Sequence, residues 1–227
     1  MLITRWLGRV PYAEALALQE EIVGQKIADA ATPDELLLLE HEPIYTIGRT
    51  PDQSSLRDAV HLPHPVVTIG RGGQATYHGP GQLVGYPLLD LRTRGQDLHR
   101  YLRGLEEVLI VLLAEYGVLG ERREGMTGVW VARRKVASIG VGVRKWISMH
   151  GFALNVGSDL GAFAAITPCG LVGVEMTSLS RECGREVKVR EVADRLVPHF
   201  RVHDAAAVSV AQTQKSPIRQ GPFPSAR

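Results

Sequence analysis

Apolar residues follow helical spacing in three segments of the chain and extended spacing in several others. Residues 12–30, 98–116 and 189–202 predict helices, because their apolar positions recur every three or four residues. Short strands are predicted between the helices, at residues 35–41, 44–48, 66–69, 83–91, 127–132, 136–144 and 147–156. Pro87 marks the strand over residues 83–91 as an edge or a bulge. The pattern predicts one α/β or α+β domain over residues 1–203.

The end of the chain differs in composition from the rest. From Asp204 onward alanine, serine, glutamine and proline dominate, so residues 204–227 are expected to form a disordered C-terminal tail. The formal net charge is only +2, and the tail carries Lys215, Arg219 and Arg227 against one acid, which leaves residues 1–203 neutral. A neutral body gives no support to nucleic-acid binding.

The sequence favours a cytoplasmic protein with no membrane partner. The N-terminal segment MLITRWLGRVPYAEA has no uninterrupted apolar stretch of the kind that a secretory signal needs. No apolar run approaches the roughly 20 residues that cross a bilayer. The two cysteines, Cys169 and Cys183, are too few for a disulfide scaffold, and we expect both thiols to be reduced.

Several common catalytic signatures are absent from the sequence. No Gly-Lys dipeptide occurs, which excludes a P-loop, and H-E-x-x-H, G-x-S-x-G and C-x-x-C are all missing. The glycines at positions 140 and 142 do not extend to G-x-G-x-x-G. Zinc peptidases, serine hydrolases, dithiol redox proteins and dinucleotide-binding enzymes therefore lose their usual sequence support.

Three short segments carry candidate chemistry. A glycine-rich loop, RGGQATYHGPGQ, spans Arg71–Gln82 after a predicted strand, and glycine lets such a loop bring backbone N–H groups close to a ligand. Cys169 lies between Pro168 and Gly170, and Lys135 follows two arginines at a predicted hairpin. Taken alone, each segment has a plainer interpretation: a solvated turn, a small buried residue and a solvated basic turn.

Taken together and in order, these segments resemble the octanoyltransferases of lipoate biosynthesis. The stretch R-G-G-x-x-T-Y-H-G-P-G-Q-x-V-x-Y (Arg71–Tyr86) looks like the signature of that family, and EHEPIYTIGR (Glu40–Arg49) resembles the strand before it. KVASIGVGVRKWISMHGFALNV (Lys135–Val156) and ITPCGL (Ile166–Leu171) are similar to the family's later blocks. The resemblance covers roughly residues 5–200, so the tail lies outside it.

The resemblance implies a fold like that of lipoate- and biotin-protein ligases: a mixed, mainly antiparallel sheet flanked by helices. It also implies an acyltransferase that moves an octanoyl or lipoyl group from acyl carrier protein to a specific lysine of lipoyl domains, in 2-oxoacid dehydrogenase complexes and the glycine cleavage H protein. No cofactor and no metal are implied, because the donor thioester already carries the activation. Basic residues would suit acidic protein substrates, and the candidates are Arg71, Arg133, Arg134, Arg144 and Lys145.

The resemblance further implies the roles of individual residues. Cys169 matches the nucleophile that would carry the acyl group as a thioester, and Lys135 matches the catalytic lysine that would accept its proton. His78 is the rival partner for Cys169, but the family points to its loop as substrate-binding. The implied substrate-binding residues are Arg71, Gly72, Gly73, Gln74, Ala75, Thr76, Tyr77, His78, Ser138, Ile139, Gly140, Gly151, Phe152 and Ala153.

Two other functions stay open at this point. An ATP-dependent lipoate- or biotin-protein ligase would share the fold without needing a cysteine nucleophile, and RGGQATYHGPGQ departs from the ligase pattern where Pro-Gly-Gln follows the histidine. A noncatalytic acyl-carrier-binding module would leave Cys169 as a core residue. ATP dependence separates a ligase from a transferase, and the mass gained from an octanoyl donor separates an enzyme from a binding module.

Overall fold

A seven-stranded sheet and a smaller three-stranded sheet organise the computed structural model, which describes residues 2–215. In chain order the helices and strands are β1 (Leu2–Val10), α1 (Tyr12–Ala28), β2 (Asp34–His41), β3 (Ile44–Ile47), β4 (Val66–Thr68), β5 (Thr76–His78), β6 (Gln82–Leu88), α2 (Leu98–Ala114), β7 (Glu121–Arg123), β8 (Met126–Val131), β9 (Arg134–Arg144), β10 (Ile147–Asn155), α3 (Leu179–Cys183) and α4 (Val189–Lys215). The large sheet has the order β1-β2-β6-β10-β9-β8-β7, and the small sheet has the order β4-β3-β5.

Strand direction confirms the predicted architecture. In the large sheet β1 and β2 run parallel, and each other neighbouring pair of its described strands is antiparallel. In the small sheet β3 is parallel to β4 and antiparallel to β5. The fold is therefore a mixed, mainly antiparallel sheet flanked by helices. No helix within residues 2–215 is long and apolar enough to cross a membrane.

The run of four leucines in β2 explains how the large sheet is covered on both faces. Side chains alternate between the faces of a strand, so a continuous apolar run is typical of a strand with two buried faces. Leu36 and Leu38 belong to a core that includes residues of α2 and α4. Leu37 and Leu39 belong to a second core that includes residues of α1. The sheet thus lies between α1 on one side and α2 with α4 on the other.

A third, smaller hydrophobic core lies between the small sheet and the segment that contains Cys169. Tyr45 of β3 and Tyr77 of β5 pack with Phe163, and Ile166 and Met176 are buried in the same cluster. Phe163 and Ile166 precede the cysteine turn (Pro168–Gly170), and Met176 follows it. The small sheet therefore fixes the glycine-rich loop and the cysteine turn to the same apolar base.

The position of β6 corrects the interpretation of Pro87. This strand is central rather than an edge, because it pairs with β2 on one side and β10 on the other. The pairing with β10 covers residues 82–85, so Pro87 lies beyond it. There the Ser148 hydroxyl donates to the Pro87 carbonyl oxygen (2.7 Å) and accepts from the Leu89 N–H (2.9 Å). A side chain thus makes hydrogen bonds at a point where proline offers no N–H.

The last helix continues beyond the predicted boundary. Helix α4 was expected to end at residue 202, but it runs to Lys215, so the expectation of disorder from Asp204 is wrong for residues 204–215. Asp204 forms an ion pair with the buried Arg94 (2.6 Å), and the same guanidinium binds Asp34. The alanines at positions 205–207 favour the helix. The rest of the predicted tail, residues 216–227, lies outside the described residues.

Three buried histidines are neutral at pH 7. Burial lowers the pKa of His41 to about 4. Burial, with His41 adding to the effect, lowers the pKa of His78 to about 3. Their ring centroids lie 5.8 Å apart. Burial and the Arg71 guanidinium lower the pKa of His150 to about 4. Protonating any of these rings would place a charge in the protein interior, which is unfavourable.

We expect the free energy of unfolding to fall as the pH is lowered from about 6.5 towards 4. In this window the unfolded histidines bind protons and the folded ones do not, so each buried ring removes about 1.4 kcal/mol of stability per pH unit. His150→Leu deletes a ring whose two nitrogens have no hydrogen-bond partner among the described residues, and it should flatten the slope. Denaturant unfolding at several pH values measures both proteins, and equal slopes would contradict the expectation.

Candidate active site

A cavity of about 370 Å³ opens between the glycine-rich loop, strands β9 and β10, and the cysteine turn. Its volume lies within the usual range for small-molecule sites. Both predicted catalytic side chains, Cys169 and Lys135, line it. Of the predicted substrate-binding residues, those that line it are Arg71, Gly72, Gly73, Gln74, Thr76, His78, Ser138, Ile139, Gly140, Gly151, Phe152 and Ala153.

Two predicted substrate-binding residues do not line this cavity. Tyr77 packs in the small core, with its ring 5.6 Å from that of Phe163. Ala75 is fully buried, and its carbonyl oxygen accepts a hydrogen bond from the Cys169 N–H (2.9 Å). Residues 75–78 lie at β5 and just before it, where side chains alternate between two sides, so Ala75 and Tyr77 point away from the cavity that their neighbours line. They support the cavity wall from behind.

The cysteine turn holds Cys169 in an uncommon backbone conformation. Its φ is 56°, in the left-handed region that few residues other than glycine adopt. Gly170 follows with φ 70°, and a Cβ there would lie 2.8 Å from Cγ of Gln74. The hydrogen bond from the Cys169 N–H to Ala75 ties this turn to the glycine-rich loop. Cys169 is half-buried, so its thiol reaches both the cavity and the protein groups behind it.

Lys135 is held beside this thiol by its backbone and by its amine. The backbone N–H donates to the Glu175 carbonyl oxygen (2.8 Å), and the backbone oxygen accepts from Thr177 (2.9 Å). The Nζ atom donates to the Thr127 carbonyl oxygen (3.0 Å) and to Sγ of Cys169 (3.2 Å). The residue is only 2% exposed. A buried amine in contact with a thiol is positioned to exchange a proton with it.

Ser138 and Trp130 complete the immediate surroundings of the two groups. The Ser138 hydroxyl lies 3.7 Å from Sγ of Cys169, within hydrogen-bonding distance for sulfur. The Lys135 amine lies 5.2 Å from the centroid of the Trp130 ring, which is fully buried. An aromatic face attracts a cation at this distance. The Trp130 ring is thus placed to stabilise the positive charge that the amine carries once it has accepted a proton.

Arg71 is buried within the glycine-rich loop, so it cannot contribute to a positive surface. Its guanidinium donates to the carbonyl oxygens of Gly72 (2.8 Å), Thr46 (3.0 Å) and Gln74 (3.0 Å). These bonds close the loop around a single side chain. Among the other basic candidates, Arg134 pairs with Glu182, whereas Arg133, Arg144 and Lys145 are exposed. The plain interpretation of the loop as a solvated turn is therefore wrong.

His78 does not form the alternative pair with Cys169. Its Nδ1 atom is 2.8 Å from Oε1 of Gln82 and its Nε2 atom is 3.2 Å from Oγ1 of Thr46, so both ring nitrogens are engaged. Its pKa of about 3, set mainly by burial, leaves it a weak proton acceptor at neutral pH. The histidine braces the glycine-rich loop against β3 and β6.

Cys183 lies apart from this cavity. It ends α3, and its thiol donates weakly to the carbonyl oxygens of Ser180 (3.8 Å) and Arg185 (3.7 Å). Both cysteines are free thiols, as the sequence predicts. Only Cys169 of the two has an amine beside its sulfur within the described residues.

Sequence reasoning missed several residues that line the cavity. In the sequence Tyr12 signals only the start of a helix, and His150 lies within the block Lys135–Val156 without a signal of its own, yet both line the cavity. Neither carries a local motif, because the fold brings them together from distant parts of the chain. The other unpredicted lining residues are Ile69, Tyr86, Leu98, Leu102, Gly125, Met126, Thr127, Val141 and Leu171.

Comparison with known proteins places the chain in a family. The sequence matches the family model of the lipoyl protein ligase A/B catalytic domain over residues 11–201. It is 56% identical over 194 residues to an octanoyltransferase of Syntrophotalea carbinolica, covering 86% of this chain and 90% of that protein. It is 55% identical over 194 residues to an octanoyltransferase of Geobacter sulfurreducens, covering 86% of this chain and 81% of that one.

A solved structure agrees with this assignment at the level of the fold. The structure of an archaeal lipoylation system, a bipartite lipoate protein ligase and its E2 lipoyl domain from Thermoplasma acidophilum, matches 94% of this chain and 92% of that one. The TM-score is 0.70 at 16% identity, which shows a shared fold. The family model and the two octanoyltransferases at 56% and 55% identity show more than a shared fold. By these sequence matches the chain belongs to the octanoyltransferase family.

Proposed function

We propose that this octanoyltransferase works through a thioester on Cys169, with Lys135 as the proton acceptor. The donor is an octanoyl or lipoyl thioester of acyl carrier protein, and the acceptor is a specific lysine of a lipoyl domain. The observation that carries the proposal is the 3.2 Å contact between the Lys135 amine and the Cys169 thiol at the wall of a 370 Å³ cavity.

In the first half-reaction the amine of Lys135 accepts the proton of the Cys169 thiol. The resulting thiolate attacks the carbonyl carbon of the donor thioester, a C–S bond to Cys169 forms, and the C–S bond to the donor breaks. The ammonium of Lys135 then returns the proton to the departing donor thiolate. Free acyl carrier protein leaves, and the acyl group remains activated as an enzyme thioester.

In the second half-reaction the amine of the acceptor lysine attacks this thioester. The new C–N bond forms as the C–S bond breaks, and Lys135 takes the proton that the acceptor amine loses. That proton passes to the Cys169 thiolate, which restores the thiol. No nucleotide is consumed, because an amide is more stable than the thioester from which it is made.

The cavity suits an apolar chain with a reacting carbonyl at one end. Ile139 and Phe152 from the sheet, with Leu98 and Leu102 from α2, provide apolar lining. Val172, three residues after Cys169, is 93% exposed, so the cysteine turn lies at the molecular surface where two protein substrates can reach it. The free thiols are consistent with work in a reducing cytoplasm.

Intact-protein mass spectrometry tests the proposal directly. Mixing the protein with octanoyl-acyl carrier protein should add the mass of one octanoyl group, and adding a lipoyl domain should move that mass to the domain. Octanoic acid with ATP should produce neither change. A product that requires ATP and never passes through a labelled enzyme would contradict the proposal and would indicate a ligase.

Cys169→Ala should abolish both the acyl-enzyme and octanoyl transfer, because it removes the sulfur that forms the intermediate. Cys183→Ala is the matched control and should leave both intact, since Cys183 does not line the cavity and its thiol donates only weakly to the backbone carbonyl oxygens of Ser180 and Arg185. The measurement is mass spectrometry of each variant after mixing with donor. Near-normal turnover of Cys169→Ala would show that the acyl group never resides on this residue.

Lys135→Arg and Lys135→Met should each lower turnover by about 10²–10⁴-fold, the usual contribution of an acid–base group. Arginine keeps a positive charge but does not deprotonate in proteins, and methionine keeps the length without the amine. Thermal unfolding of both variants checks that the buried position tolerates them. If Lys135→Arg supports transfer, the lysine acts only as a cation; if Lys135→Met does, it acts only in packing.

A further inference from the structure

Glu106 of α2 is a fully buried carboxylate outside the cavity, and its two oxygens have different partners. It is 0% exposed. The Oε2 atom pairs with Arg103 (2.7 Å) on the same helix and with Arg122 (3.2 Å) on β7. The Oε1 atom accepts a hydrogen bond from the backbone N–H of Gly128 (3.0 Å) on β8. The arginines balance the charge, and the second oxygen is directed at one backbone group of the sheet.

That backbone group adjoins the carbonyl that binds the Lys135 amine. The N–H of Gly128 and the carbonyl oxygen of Thr127 belong to the same planar peptide unit, so fixing one fixes the other. The Thr127 oxygen accepts from the Nζ atom of Lys135 at 3.0 Å, and the same Nζ atom is 3.2 Å from Sγ of Cys169. A continuous chain of contacts therefore runs from Glu106 to the nucleophile.

Gly128 lets the Lys135 side chain pack closely on this peptide unit. Its φ is +128°, and a Cβ at this position would lie 2.7 Å from Cε of Lys135 and 2.6 Å from the Ala137 carbonyl oxygen. The lysine side chain thus packs directly on the peptide that Glu106 binds. A shift of this peptide displaces both the carbonyl that accepts from the amine and the surface on which the side chain rests.

We propose that Glu106 is a positioning residue for the reaction: through the Thr127–Gly128 peptide it sets where the Lys135 amine lies relative to the Cys169 thiol. This inference rests on the proposed roles of Lys135 and Cys169. A carbonyl oxygen stabilises the ammonium that forms when Lys135 takes the thiol proton. Holding that oxygen in place favours the thiolate, and the reach of the Glu106 side chain matters more than its charge.

Two substitutions at one position separate reach from charge. Glu106→Asp keeps the carboxylate beside Arg103 and Arg122 but withdraws its oxygen from Gly128 by one methylene. Glu106→Gln keeps the length and an oxygen that can accept from Gly128, while the partly exposed arginines can turn to solvent. Arg103→Gln is the control, because Arg103 contacts only Oε2 of this carboxylate. Thermal unfolding establishes that each variant is folded.

The readouts are the rate of enzyme acylation by octanoyl-acyl carrier protein and the pH profile of Cys169 alkylation by iodoacetamide. Glu106→Asp should acylate up to about 10²-fold more slowly at neutral pH, since small displacements of a catalytic group have effects of that size. Its alkylation profile should move to higher pH, with KM for the donor unchanged because Glu106 does not line the cavity. Glu106→Gln and Arg103→Gln should keep the wild-type profile.

Either variant at position 106 can overturn the inference by itself. A folded Glu106→Asp with wild-type acylation and alkylation would show that the reach of the carboxylate is irrelevant. A folded Glu106→Gln whose profile shifts would assign the effect to charge instead. The proposed function is tested separately, because its failure would leave the wild-type protein itself without an acyl-enzyme.

Discussion

The parallel pairing of Lys135 with the segment after the cysteine turn is the constraint on which the site depends. Backbone hydrogen bonds to Glu175 and from Thr177 fix the lysine on both sides. That segment, residues 175–177, follows Cys169 in the chain, and the Cys169 N–H is bound to the Ala75 carbonyl oxygen. One short stretch of chain therefore sets the position of the thiol and of the amine, although the two residues are 34 positions apart in the sequence.

Hydrogen bonds between buried side-chain amides connect the segment that pairs with Lys135 to the glycine-rich loop. Gln82 contacts His78 and donates to Oδ1 of Asn155 (2.9 Å), and Asn155 donates to the carbonyl oxygen of Thr177 (3.0 Å). Such networks are costly when they are incomplete and rigid when every member is satisfied. The neutral histidine fits this arrangement, since a charge there would lack a compensating partner. The glycine-rich loop and Lys135 thus share one polar framework beneath the cavity.

Much of the fold and the central pair of the site follow from local sequence, whereas their supports do not. The leucine run of β2 and the apolar spacing of α2 are periodic signals, and the family resemblance selects Cys169 and Lys135. The interior places of Arg71 and Glu106 have no such signal, because charged residues are ordinarily exposed and only tertiary contacts bury them. The sequence does not predict strand β1 either, because its residues are mostly half-buried and its apolar and polar positions do not alternate regularly.

The burial of Lys135 bears on how faithfully an acyl group is used. An enzyme thioester has two fates, aminolysis by the intended acceptor and hydrolysis by water, and a base exposed to solvent would activate both nucleophiles. Here Lys135 as a whole is 2% exposed, and it lines the cavity beside Cys169. In the proposed reaction an octanoyl chain lying in that cavity excludes bulk water from the base. In that reaction, access of water to the cavity rather than the reactivity of the thioester itself governs how much of the acyl-enzyme is hydrolysed, so octanoyl groups are kept for the acceptor.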